Sequence, residues 1–401
     1  MKQRYYSLDV FRGATVALMI LVNNPGSWSH IYSPLEHAPW HGLTPTDLVF
    51  PFFLFAVGNA LAFVMPRLEA AGPAVFWRKV LTRTILIFAI GLFLNWWPFA
   101  RWQAGQLHFS GWTWITGEGT RSGVRIFGVL QRIALCYFFA SAIVYYTKPR
   151  GAFLVGAVLL LFYWAACVAG NPADPYSLAG WAGTRIDLAI LHAVHMYRGE
   201  GVAFDPEGLG STLPAITQVI FGYLVGTYIL QQGKLATAEN SQTNLFKTLT
   251  GLFIAAVAFL AAGYCWSFSF PVNKKIWTSS YVLVTTGLAT AVLATLVYAI
   301  EGSAVRNRVT RFFDVFGKNA LFVFALSAFL PKGLRLLRIP NGSDAAGHAQ
   351  YLSPWNWWYE KVCRFAPGAP QFGSLLFALT VVLFMWAICY GLDKKRLYIK
   401  V

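Results

Sequence analysis

Twelve residues, Glu36-His-Ala-Pro-Trp-His-Gly-Leu-Thr-Pro-Thr-Asp47, run straight into an apolar stretch. A histidine among aromatic neighbours just above a helix mouth can act as a general base or a nucleophile near neutral pH. That singles out His37, with Asp47 able to hold its ring or to meet a substrate ammonium. The same residues also read as a helix start, because Thr44, Thr46 and Asp47 are good N-caps. Spacing alone leaves both readings open.

Other polar residues sit at the ends of, or inside, apolar stretches. Asn23 and Asn24 close the first one, before Pro25-Gly26. An amide there can donate to a developing oxyanion, although a helix C-terminus is the simpler account. Arg132 lies about two turns inside another stretch, after Arg125, Gly128 and Gln131. A charge at that depth is expensive unless paired, which marks it for function. Lys318 and Asn319 are similarly deep, and Asp314 one turn earlier offers Lys318 a structural ion pair. Asp9 and Arg12, at i,i+3, read as a structural pair. His37/His41 and His192/His195 have helical spacing but no nearby cysteine or HExxH frame, so no metal site is expected.

The elements that must position these residues follow from composition. The chain has 401 residues, 57% hydrophobic, 17% aromatic and 12% charged. Soluble domains carry about 25% charged residues. A formal charge of +16 raises nucleic acid as a partner, but the chain is too apolar for that; a disordered chain, a coiled coil and a small disulfide scaffold are excluded by the same numbers. A bilayer span takes about 20 mostly apolar residues. Ten such runs lie near 8–24, 47–65, 80–98, 126–147, 152–170, 213–230, 249–268, 277–300, 312–331 and 371–391, and none shows β-barrel alternation. The expected fold is an all-α polytopic membrane protein of about ten transmembrane helices, a single domain over 1–401. The five cysteines are scattered, without a CxxC. The N-terminal run does not read as a cleaved signal, since no small-residue cleavage site follows it.

Positive-inside counting sets the orientation. With the N-terminus inside, 18 Lys and Arg fall on inner segments and 12 on outer ones, so both termini are expected in the cytoplasm. The inner connections are short. The outer ones, near 25–46, 99–125, 171–212 and 332–370, are long and carry all seven histidines. Long loops are where function concentrates, so the working face is expected to be the outer one. Intramembrane Arg and Lys would also suit a secondary transporter of amino sugars, but matched broken half-helices are not visible.

Five ordered segments carry a resemblance: Ser7-Leu-Asp-Val-Phe-Arg-Gly13, Glu36 through Pro51, Arg125-Ile-Phe-Gly-Val-Leu-Gln-Arg132, Asp205-Pro-Glu-Gly208 and Phe270-Pro-Val-Asn-Lys-Lys-Ile-Trp277. They resemble the transmembrane acyltransferase family of heparan-α-glucosaminide N-acetyltransferase and its bacterial relatives. The resemblance implies acetyl transfer from cytoplasmic acetyl-CoA to the amine of a glucosamine-type sugar or glycan end across the membrane. It implies His37 as the active-site histidine, Asp47 as its partner and Asn23 as the oxyanion donor. Arg132, Lys318, Asn319, Arg125 and Gln131 are the expected contacts of acetyl-CoA, and Trp40, Asp205, Glu207, Asn273 and Lys274 those of the sugar. An acetyl-His37 intermediate and O-acetylation of a surface glycan remain open beside direct N-acetylation. The implied setting is a bacterial inner membrane with the site facing the periplasm; a homodimer is expected from symmetry alone.

Overall fold

The computed structural model describes residues 5–103, 105–117, 119–235, 241–343 and 348–399. Lys2, Arg4 and Lys400 of the charge count lie outside them. Among the described residues eight helices are long and apolar enough to cross a bilayer, and a bent pair is a ninth candidate span by length and composition. They are α1 (Tyr6–Asn23), α2 (Val49–Ala70), α3 (Pro73–Trp96), α4 (Val129–Gly170), α6 (Leu209–Leu235), α7 (Ser241–Ser267), α8 (Ser279–Val297), the pair α9 (Arg308–Lys318) and α10 (Ala320–Leu334), and α12 (Pro370–Lys394). Two short helices, α5 (Gly183–Leu191) and α11 (Pro354–Lys361), lie in the connections.

Burial sorts the helices into layers. α1, α2, α6 and α8 are mostly covered and make the centre, whereas α3, α7 and α12 are largely open. The open helices turn large apolar side chains such as Ile85, Ile254 and Val257 outward, as helices facing lipid do.

α4 has 42 residues. At 1.5 Å per residue that is about 63 Å, twice the hydrocarbon thickness. The chain solves this at Lys148, whose φ of 58° and ψ of 179° interrupt the helix just before Pro149. A residue preceding proline is disfavoured in the helical region. The second half returns to the starting face, where Tyr163 and Cys167 pack with Trp181 and Phe204. The two runs expected at 126–147 and 152–170 are therefore the two halves of one broken helix.

The run expected as a single span over 312–331 is instead α9 and α10, bent by 79° at Asn319. Two causes are visible. Gly317 and Gly13 let α9 and α1 touch backbone to backbone, and a Cβ at either would collide with the other helix. The Asn319 amide is used by the tail: its Nδ2 donates to the Leu397 carbonyl at 3.3 Å and its Oδ1 accepts from the Ile399 N–H at 2.9 Å. Beside this break Lys318 holds two carboxylates, Asp314 at 2.6 Å and Asp393 at 3.1 Å. Lys318→Met takes the nearest cation from both buried acids, a loss of about 3 kcal/mol that Arg311, 3.5 Å from Asp393, only partly offsets. Thermal unfolding in detergent reads this as a lowered midpoint, with Lys318→Arg close to wild type.

The long connections share one face, here the loop face. Among the described residues they contain three two-stranded antiparallel hairpins: β1 (Ala100–Gln103) with β2 (Gln106–Phe109), β3 (Thr113–Ile115) with β4 (Arg121–Gly123), and β5 (Ile339–Ser343) with β6 (Ala349–Leu352). The starts of α1 and the tail after α12 lie on the opposite face, tied there by Lys318–Asp393 and by the Ser7 N–H bond to Glu301.

Candidate active site

The site begins at the mouth of α2. Pro45–Leu48 form a 3-10 turn closed by a capping box between Thr44 and Asp47. Asp47 is 1% exposed. Its Oδ2 accepts from the N–H groups of Ala38 and Thr44, each at 3.1 Å, and from the Thr44 hydroxyl at 3.0 Å. Its Oδ1 lies 2.7 Å from Nδ1 of His37. The two readings of Asp47 thus coexist: one oxygen caps the turn and the other holds the imidazole. An ionised carboxylate only accepts, so Nδ1 carries the ring proton and Nε2 keeps the lone pair, a tautomer assigned from the network.

Lys274, in the loop between α7 and α8, closes over this pair. Its Nζ is 3.0 Å from Nδ1 and 3.2 Å from Nε2 of His37, and 3.5 Å from Oδ1 of Asp47. Because Nδ1 is engaged by Asp47, the lone pair open to Lys274 is that of Nε2. Burial pulls the Lys274 ammonium below its ordinary value, against the opposing pull of Asp47 and Glu207.

A second charged group forms the far wall. Arg125 donates through Nε to Asp205 at 3.0 Å and through Nη2 at 2.6 Å, and its Nη2 also meets Glu207. Its guanidinium stacks 4.8 Å from the Tyr197 ring. Burial works against ionisation of Glu207, but Arg125 and Arg132 hold it below the usual carboxylate range. Burial raises Asp205 despite Arg125. Arg132 lies fully buried under the same turn, donating to the Gly208 carbonyl at 3.1 Å and to Ser211.

Asp187 of α5 supports this turn from behind. Its Oδ1 accepts from the Leu209 N–H at 2.8 Å, and a Cβ at Gly208 would strike its Oδ2. Burial raises the Asp187 carboxyl to about 6. A raised folded-state value contributes stability that is full below the ordinary carboxylate value and is lost as pH rises through about 6. Asp187→Asn therefore melts above wild type at pH 8, and the difference shrinks as pH falls through about 6 and disappears below about pH 4, as paired thermal scans will show.

These groups enclose a cavity of about 210 Å³ lined by His37, Ala38, Trp40, Asp47, Arg125, Val129, Tyr197, Glu200, Pro206, Glu207, Lys274, Lys275 and Trp277. Residues 36 to 277 in sequence are brought together by folding the long connections over the mouths of α2 and α4. Trp40 is fixed by its N–H bond to the Tyr176 carbonyl at 2.8 Å. Tyr197, Glu200, Lys275 and Trp277 were not singled out from sequence. Lys275 and Trp277 flank Lys274 in one run and could have been, whereas Tyr197 and Glu200 carry no local signal. Lys275 bonds Glu200 and the Pro39 carbonyl, each at 2.7 Å, and so ties the histidine loop to the opposite wall.

Several expected site residues lie elsewhere. Asn23 is exposed at the end of α1, outside this lining. Asn273 is buried behind it, accepting from the Ile276 N–H at 3.1 Å and facing His41 at 3.3 Å. The His37 and His41 rings therefore serve different partners. Gln131 is buried against Gly91. Arg132 lines neither this cavity nor a second one, of about 330 Å³, in the opposite half of the bundle. Lys318 does line that second cavity, with Arg12, Arg83, Phe53, Ile133, Tyr137 and Ile399; the sequence reading had assigned neither Arg12 nor Arg83 to it. Asn319 is spent on the tail.

The fold and site define a polytopic α-helical membrane protein with a histidine–carboxylate pair in a charged cavity on its loop face. No model of a known protein family matches the chain. The chain is similar to human heparan-alpha-glucosaminide N-acetyltransferase, 24% identical over 369 residues that cover 80% of this chain and 52% of the relative. The mouse protein of the same name is 24% identical over 408 residues, 87% and 57% of the two lengths. The chain is thus a distant relative of these acetyltransferases, and it spans about half the length of the curated relatives it matches.

Proposed function

We propose that the protein is a membrane-embedded acetyltransferase that moves acetyl from acetyl-CoA to the amine of a glucosamine-type amino sugar. The observation that carries this reading is the His37–Asp47 pair at 2.7 Å, which leaves Nε2 as a base inside the cavity. The two acetyltransferases that the chain resembles supply the reaction class.

In this reading the neutral amine attacks the thioester carbonyl and a C–N bond forms. His37 Nε2 takes the proton released by nitrogen, and Asp47 stabilises the resulting imidazolium. The tetrahedral oxyanion needs a donor inside the cavity. Asn23 lies outside it, so Lys274 takes that role once the acceptor displaces it from Nε2. Collapse breaks the C–S bond, the thiolate recovers the proton from His37, and CoA and the acetamide leave. Glu207 and Glu200 meet the hydroxyls of the sugar, and Trp40 its apolar face.

Acetyl-CoA enters from the opposite face. Its anionic groups meet Arg12, Arg83 and Lys318, which line the second cavity among apolar side chains, in competition with the carboxylates that already hold Lys318 and Arg12. By the positive-inside count that face is cytoplasmic, and the loop face with its acceptor is periplasmic in a bacterial inner membrane.

The test is transfer by purified protein in detergent, with acetyl-labelled acetyl-CoA and glucosamine. Labelled N-acetylglucosamine is the expected product. No product, together with no binding of acetyl-CoA, overturns the reading.

A further inference from the structure

The two cavities have no lining residue in common, although the same helices contribute to both. On α4, Val129 lines the loop-face cavity, while Ile133 and Tyr137 line the other. Positions four apart fall on one helix face, so about 6 Å of helix separates the cavities along this wall. On the facing wall Asp47 lines the first and Phe53 the second, with Phe50 midway between them. Two aromatic rings stand at this level, Phe50, which lines neither cavity, and Trp277, which lines the loop-face one. Phe50 meets Trp277 edge to face, with centroids 5.0 Å apart, and both are buried.

Trp277 is unusual in three independent ways. Its φ is 53°, a left-handed conformation that a bulky residue rarely holds. Its indole Nε1 is buried with no hydrogen-bond partner, although a buried indole N–H normally finds one. The Arg132 guanidinium lies 5.1 Å over its ring while two of that guanidinium's own nitrogens, Nε and Nη1, are also unpartnered. A tryptophan serving simply as core filling needs neither the strained backbone nor the unmet donors. Strain of this kind persists where the surroundings enforce it and gathers at functional sites.

We propose that Phe50 and Trp277 are the partition between the donor and acceptor cavities and fix the size of the acyl group that reaches His37. This inference rests on the acyl-transfer reading for its substrate, but not for its geometry. In the closed state the rings leave no continuous path. A thioester arm rising from the second cavity displaces them, and the space they retain admits a two-carbon acyl group while refusing longer chains. Phe50 is the residue to change, because Trp277 is held by its backbone and by Arg132.

Two readouts test the partition. The first uses sealed vesicles, with an impermeant maleimide added on the loop face and labelling read by peptide mass spectrometry. Cysteine is introduced in place of Val129 or Ile133, with Cys265, the exposed native cysteine, changed to serine. Val129→Cys labels with either residue at 50. Ile133→Cys stays at background with Phe50 or Phe50→Leu and labels at least tenfold faster with Phe50→Ala. Ile133→Cys labelling at the full rate with Phe50 intact overturns the partition. So does Ile133→Cys remaining unlabelled in Phe50→Ala, and so does loss of Val129→Cys labelling there, which would mean that Phe50 only props the cavity open. The second readout is the ratio of butyryl-CoA to acetyl-CoA turnover with glucosamine, expected to rise at least tenfold in Phe50→Ala and to stay put in Phe50→Leu. An unchanged ratio in an active Phe50→Ala enzyme overturns the size-selecting role. If the labelling pattern holds and no variant transfers any acyl group, the partition stands and the acyl-transfer reading fails.

Discussion

His37→Ala lowers acetyl transfer to glucosamine by about a thousandfold or more, with little change in thermal stability. The rate loss is that of a general base removed from a proton transfer, about 10²–10⁴. The fold tolerates the change for a structural reason. The His37 side chain is 43% exposed. Asp47 loses one of its partners but keeps the Ala38 and Thr44 N–H groups, the Thr44 hydroxyl and Lys274. Initial rates with labelled acetyl-CoA, measured beside a melting curve, check both halves. Turnover within tenfold of wild type removes His37 from the mechanism.

Asp47→Asn is expected to be nearly as damaging, by a different route. The asparagine carbonyl is claimed by the Ala38 and Thr44 N–H groups, so its amide NH2 turns toward His37. Nδ1 must then accept, and the ring proton moves to Nε2, where the lone pair is needed. A catalytic histidine held in the wrong tautomer typically loses about 10⁴ in kcat with its geometry intact. The loss falls on kcat, while KM for glucosamine changes little, since Asp47 is buried behind the ring. Residues acting as one unit are not additive, so His37→Ala/Asp47→Asn is expected within tenfold of His37→Ala alone. A double mutant that loses the product of the two single effects would separate Asp47 from the histidine.

The spans were legible because a bilayer crossing needs a long apolar run, and such runs survive in sequence without any knowledge of neighbours. The break in α4 was readable too, since Lys148-Pro149 interrupts the apolar pattern. The bend at Asn319 was not, because its cause is distant: Asp9 of α1 and residues 397–399 of the tail. The three hairpins also escaped, since strands of three to five residues are too short for alternation to register. At the site, Asp47 and His37 lie ten residues apart and could be paired by eye. Lys274 reaches the same ring from 237 residues away, a contact that no local spacing encodes. Lys318 shows the opposite lesson. Its nearest acid, Asp314, was visible at i−4, while Asp393, which completes its neutralisation, belongs to another helix.

The tie between Asn319 and the tail makes the chain its own occupancy gauge. Ile399 both bonds Asn319 and lines the second cavity, and the exposed residues Lys394, Lys395 and Arg396 lie just before it. An anion seated among Arg12, Arg83 and Lys318, as proposed for acetyl-CoA, is expected to brace that short strap, so that trypsin clips it more slowly. The rate at which a protease cuts this strap is thereby expected to report binding in the second cavity, with no label and no turnover.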